Sequence, residues 1–196
     1  MEFMGIEMQK YNSKQLPYLL VSYPWVEDGI FDLAVILITE STEDGTMGFM
    51  LNRPLENKIS EIIVDDQALI DDDCIIWYGG PVSSQQGYML HNLGEFDGDC
   101  HVADGAGLSM NIDSLCLLDQ VKSENLSETR VRFIVGYCGW APGQLEHECL
   151  EGTWMQIPYD EKLVFDTAAK DLWQRAYASM GVHPELLVVE ADTLVH

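Results

Sequence analysis

The apolar positions fall mostly into short runs broken by turn residues, and take up a helical rhythm clearly only near the C-terminus. Pro17 to Tyr23 (PYLLVSY) reads as a strand that Pro24 ends by removing a backbone donor. Leu33 to Thr39 is apolar at nearly every position, the pattern of a strand buried on both faces. The turn ESTEDGT at 40–46 offers an Asp-Gly pair for positive φ, so Met47 to Leu51 returns as the second arm of a hairpin. Asn52-Arg53-Pro54 closes it, because a residue before proline is pushed out of the helical region. Asn57 is placed to cap a short helix over Lys58 to Val64, with Ile59, Ile62 and Ile63 on one face. Cys74 to Tyr78 is a second buried strand; Gly79-Gly80-Pro81-Val82 turns the chain, and Gly87 to His91 comes back as the antiparallel partner of that strand.

A turn at Asp97 to Asp99, a short strand at Cys100 to Ala103 and a helix over Ile112 to Val121 capped by Asn111 follow, then a loop at Ser123 to Thr129. The stretch RFIVGYCGWAPGQLEHECLEGTW, Arg132 to Trp154, organises the rest: an apolar strand breaks at Gly136 and Gly139, and a helix starts near Pro142, whose missing N–H costs nothing in a first turn. Leu145, Cys149 and Leu150 fall on one side of that helix, with Glu146, His147 and Glu151 mostly on the other. Thr153 to Ile157 and Leu163 to Phe165 read as short strands around Pro158. From Thr167 a helix presents Ala168, Ala169, Leu172, Trp173, Ala176, Tyr177 and Met180 as one apolar face and stops at Gly181. Hairpin strands interleaved with one-faced helices, without a linker, predict a single α+β domain over 17–196, preceded by a polar, flexible N-terminal segment at 1–16.

Composition adds limits. A chain of 196 residues buries roughly 70 to 75 % of its unfolded surface, enough for one core without staples. The longest clean apolar run, Leu33 to Ile38, is too short to span a bilayer, and Met1 to Leu16 lacks the apolar centre of a secretory signal, so a cytoplasmic, membrane-free protein is expected. Five scattered cysteines without a Cys-x-x-Cys argue against a disulfide frame and a zinc site. With 33 acidic and 10 basic residues the formal charge is -23. No Lys or Arg occurs between Ile59 and Val121, so direct nucleic-acid binding is not expected.

Candidate chemistry is sparse. Gly105-x-Gly107 begins a dinucleotide fingerprint, but Met110 holds the place of the third glycine. Asp71 to Asp73 lack the alternation and closing Glu of a calcium loop. Gly-x-Ser-x-Gly, the phosphate loop and His-Glu-x-x-His are all missing. Cys138 in the glycine turn is a candidate nucleophile with His91 or His147 as base, and His147 with Glu151 makes two metal ligands where more are needed. A convergence of backbone remains: Gly79, Gly80, Gly139 and Gly143 at a helix start, with side-chain donors Asn52, Arg53 and Gln144. These are the candidate ligand-binding residues. No catalytic residue, metal or cofactor is assigned.

Several stretches together resemble one family: Tyr23-Pro24 with Phe31 and Val35, MGFMLNRP at 47–54, GGPV at 79–82 with GYMLH at 87–91, and GYCGWAPGQLEHE to Glu148. In that order, from about Pro17 to Gly181, they are similar to the YqgE/AlgH family of bacterial proteins. The resemblance implies an α+β fold with a coiled, barrel-like mixed or antiparallel β-sheet and flanking helices. It carries over no catalytic residue. Its pattern accepts Ala or Ser where Cys138 stands, and has a His where this chain has Ser41. It further implies a non-enzymatic regulatory or binding protein, a transcriptional regulator acting indirectly through a protein partner or a small anionic ligand. The alternative is an enzyme with an unrecognised site near the glycine turns.

Overall fold

Strand residues alternate between two faces, and here both faces are covered. The structure, a computed structural model, describes residues 16–27, 29–58, 75–92, 99–101, 109–111 and 131–184. Its elements are β1 (Tyr18–Ser22), β2 (Val35–Thr42), β3 (Gly45–Met50), β4 (Pro54–Lys58), β5 (Ile75–Tyr78), β6 (Val82–His91), β7 (Asp99–His101), β8 (Ser109–Asn111), β9 (Val131–Trp140), α1 (Gln144–Leu150), β10 (Trp154–Pro158), α2 (Glu161–Asp166) and α3 (Ala169–Ser179). Leu19, Val21, Val35, Leu37, Phe49 and Leu51 point to one side, where Leu163, Val164, Phe165, Leu172, Trp173, Ala176 and Tyr177 of α2 and α3 cover them. Tyr18, Leu20, Ala34, Ile36, Ile38 and Met50 point to the other, against Trp140, Leu145 of α1 and Trp154. That explains the unbroken apolar run of β2. Each fully buried Leu or Ile stabilises by about 1.5–3 kcal/mol.

The strand order is β10-β1-β2-β3-β9-β6-β8-β7, with β5 also paired to β9 and β4 paired to β5. All pairs are antiparallel except β5 with β9. The fold is α+β and its sheet is mixed, as expected, but among the described residues no pairing joins β10 to β7, so the sheet is open and does not close into a barrel. β9 is the hinge of the arrangement. Its first half lies between β5 and β6, and its last three residues pair with Thr46 to Gly48 of β3. The change of neighbour falls around Gly136, at φ 71.

Several local expectations change. Gly87 to His91 do not pair with Ile75 to Tyr78, because β9 lies between β5 and β6, and β5 is only partly buried, with Ile75 exposed. Leu163 to Phe165 belong to a helix, because the Asp160 carboxylate accepts from the N–H groups of Lys162 (2.8 Å) and Leu163 (3.2 Å) and caps it, and three apolar residues in a row carry no period of their own. The last helix starts at Ala169, since Thr167 is still the C-cap of α2. Lys58 ends strand β4, which opens on Pro54, a place that needs no donor. The rest of the expected 58–64 helix, the Asp97 turn up to residue 98, residues 102–103, the Gly105-x-Gly107 segment, the 112–121 helix, the Ser123 to Thr129 loop and residues 1–15 lie outside the described residues.

Candidate functional site

The glycine turns meet backbone to backbone. The N–H of Gly79 donates to Val135 O (2.8 Å), and its carbonyl accepts from Met50 N (2.8 Å) and from the Cys138 thiol (3.2 Å). A Cβ on Gly79 would lie 2.2 Å from Gly136 O, one on Gly80 2.3 Å from the Tyr137 carbonyl carbon, and one on Gly136 2.4 Å from Gly80 O. These glycines let two chain segments touch, and the N–H of Gly79 is spent inside the sheet. Gly139 pairs with Met47 in the ladder.

At the start of α1, Gly143 takes φ 76 with open space around it. The Gln144 amide turns back on its own helix: its Oε1 accepts from Ala141 N (3.0 Å) and its Nε2 donates to Glu148 Oε1 (2.9 Å). The other oxygen of Glu148 accepts from the indole N–H groups of Trp140 (2.9 Å) and Trp154 (2.7 Å). One carboxylate thus ties α1 to β9 and β10, and charge-assisted bonds of this kind are the strong ones. The motif GWAPGQLEHE is a clamp, with the Gln144 amide and the Glu148 carboxylate spent inside the protein.

Asn52 and Arg53 lie elsewhere. Gly139 pairs with Met47, whereas Arg53 stands past the opposite end of β3, six residues on, about 20 Å of extended chain. Asn52 is buried; its Oδ1 accepts from Val35 N (3.0 Å) and its Nδ2 donates to Leu33 O (2.7 Å). Leu33 is thereby held at φ 47, an unusual left-handed position for a bulky residue, and remains 42 % exposed. Arg53 donates to Asn52 O (3.2 Å), Ile30 O (3.4 Å) and Asp32 O, and burial lowers its pKa against the opposing pull of Asp32. Together they fix the loop between β1 and β2. Between that loop and the start of α3 lies a pocket of ≈ 250 Å³, walled by Leu33, Asn52 and Arg53 on one side and Ala169, Lys170, Trp173 and Gln174 on the other. The expected set therefore divides: Asn52 and Arg53 line this pocket, Gly79 touches their strand only through the backbone, and Gly139, Gly143 and Gln144 are remote from it.

The candidate reactive groups are held in structure. Cys138 is 2 % exposed, and burial pushes its thiol up to about 12. His91 is fully buried; His147 and Glu151 sit 3.3 Å apart on the exposed side of α1. No group of three His, Cys, Asp or Glu that could hold a metal occurs among the described residues. Nor is any described helix long and apolar enough to cross a membrane.

Sequence reading missed Leu33, Lys170, Trp173 and Gln174 as site residues. Nothing in a Leu announces positive φ, and Lys170 and Gln174 signal only a shared helix face by their spacing. It also missed Arg132, 5 % exposed with its guanidinium 4.1 Å over the Trp77 ring and donating to Leu51 O (3.2 Å) and Val164 O. Burial lowers its pKa to about 10, and its place is that of a bolt between the sheet and α2.

An open mixed sheet covered on both faces by short helices, split by a bent central strand and locked by a carboxylate between two indoles, defines the class of protein. The AlgH-like family model matches residues 19–185, and the chain belongs to that family. A UPF0301 protein of Photobacterium profundum is 33 % identical over 184 residues, covering 88 % of this chain and 95 % of the relative. One from Rhodospirillum rubrum is 32 % identical over 185 residues, covering 92 % and 94 %. Among solved structures, the AlgH protein from Pseudomonas aeruginosa superposes with a TM-score of 0.71 at 28 % identity, covering 88 % of this chain and 92 % of that one. Protein DIP2367 from Corynebacterium diphtheriae gives 0.67 at 25 %, covering 84 % and 86 %.

Proposed function

We propose that this member of the AlgH-like family is a cytoplasmic, non-enzymatic binding protein, regulatory in role, that acts through a protein partner or a small ligand. The observation that carries the reading is the state of Cys138, the one nucleophile in the glycine turns: it is buried, its thiol is pushed up to about 12, and its S–H donates to Gly79 O. A thiol so placed supplies no thiolate near neutral pH. The surplus of negative charge supports a regulator that reaches any transcriptional target through a partner and not by gripping DNA itself.

Metabolite screening by thermal shift tests this, because a ligand at 100 times its Kd stabilises by about 2.7 kcal/mol, easily seen in Tm. Hits should bind saturably and be recovered unchanged after prolonged incubation with the pure protein. Turnover of a hit by the pure protein would establish an enzyme and end the binding-protein reading, and its loss in Cys138→Ala would place the reaction on that thiol.

A further inference from the structure

We propose that the pocket between the β1–β2 loop and α3 is a binding site for a small monocarboxylate with an apolar body. The proposal deepens the binding-protein reading, resting on it only in that the ligand is held and not consumed. Charge is the first argument. The chain has 10 basic residues against 33 acidic ones, yet two of the basic ones, Arg53 and Lys170, line this pocket. No carboxylate is among the lining residues, and Asp32 acts on Arg53 from outside and offsets part of its charge. Two lining cations so offset favour a monoanion over a phosphate dianion.

Shape is the second. Leu33, Ala169 and Trp173 give apolar walls, while the amide of Gln174 adds a polar contact. At ≈ 250 Å³ the pocket is below the roughly 300–1,000 Å³ that hold drug-sized ligands, so it suits a metabolite of fragment size. Preorganisation is the third. Three backbone carbonyls fix the Arg53 guanidinium before any ligand arrives, leaving its Nε–H and one Nη1–H for a guest. Asn52 holds Leu33 in a backbone region that bulky residues avoid, and such strain persists where the surroundings over-determine it, commonly at ligand clamps.

Calorimetric titration of the full chain with benzoate, benzamide and inorganic phosphate tests it. Benzoate should bind saturably, with its neutral isostere benzamide and with phosphate at least about tenfold weaker. Lys170→Gln, on an exposed helix position, should weaken benzoate about fivefold with Tm unchanged, and Gln174→Glu should do so more strongly through like charge. Lys162→Gln, on α2 and outside the pocket, should leave benzoate affinity within about twofold, since an exposed remote charge is screened. Equal binding of benzoate and benzamide, preferred binding of phosphate, no benzoate binding, or equal losses in Lys170→Gln and Lys162→Gln would each overturn the site. Consumption of benzoate would instead remove the non-enzymatic reading and leave the site standing.

Discussion

The glycine junction and the Arg53 pocket differ in what they leave unused. At the junction, Gly79, Gly80 and Gly136 bring carbonyls and Cα atoms into contact, and the Gly79 N–H, its carbonyl and the Cys138 thiol all bond within the protein. At the pocket, Asn52 and Arg53 spend part of their donors on the loop and face space with the remainder. A glycine cluster alone therefore does not mark a ligand site. It marks two backbones that need to be close.

The largest effect that would break the comparison is expected at Gly136→Ala. Left-handed backbone costs about 1–2 kcal/mol with a Cβ, and overlap with Gly80 O adds about 1–3 kcal/mol, so urea unfolding should show a loss of about 2–5 kcal/mol. Gly143→Ala has nearly the same φ but open space, and should lose only the first part, about 1–2 kcal/mol. Equal losses would mean that close approach at the junction is not what Gly136 serves.

Alkaline stability should come next. The Cys138 thiol is near 9 when unfolded and about 12 when folded, so the unfolded chain releases a proton first as pH rises. Its contribution is full below pH 9 and is lost between 9 and 12. Cys138→Ala should make the fall in Tm above pH 9 less steep, while Cys149, pushed up to about 11, keeps part of the decline from pH 9 and Tyr18, near 12, adds to it from about pH 10. An unchanged slope in the variant would place the Cys138 thiol in contact with solvent.

Glu148→Gln keeps one acceptor but offers an NH2 in place of the other oxygen, so the clamp on Trp140 and Trp154 weakens. A loss of about 2 kcal/mol is expected, in the range of bonds to a charged group, together with a change in tryptophan fluorescence. Smallest is Leu33→Gly. It relieves the left-handed strain of about 1–2 kcal/mol and gives back about 0.5–1 kcal/mol in unfolded-chain entropy, so Tm should hold or rise slightly. If Tm falls clearly, Leu33 is packed and not strained.

Much of the fold was legible because it rests on local patterns. Unbroken apolar character announced a strand covered twice, which Val35 to Ile38 form while Leu33 stays in the loop before it, and Leu172, Trp173, Ala176 and Tyr177 announced a helix lying on it, as they do. Leu163 to Phe165 were misread, since a one-turn apolar run fits strand and helix alike until the Asp160 cap is recognised. At the site, Asn52 and Arg53 were legible as donors near a turn. Their partners were not, because Lys170 and Gln174 lie more than a hundred residues away along the chain.

By itself the sequence determined the α+β class, the two-faced burial of the first hairpin, the positions of the tight turns and the family, all consequences of side-chain periodicity and backbone permissiveness over a few neighbours. Only the tertiary structure decided that the sheet stays open, that Glu148 sits between two indoles, and that Arg53 faces α3 and not the glycine-rich start of α1. Those outcomes depend on strand register and on which ends of the strands meet, and pairing energies between distant segments set both.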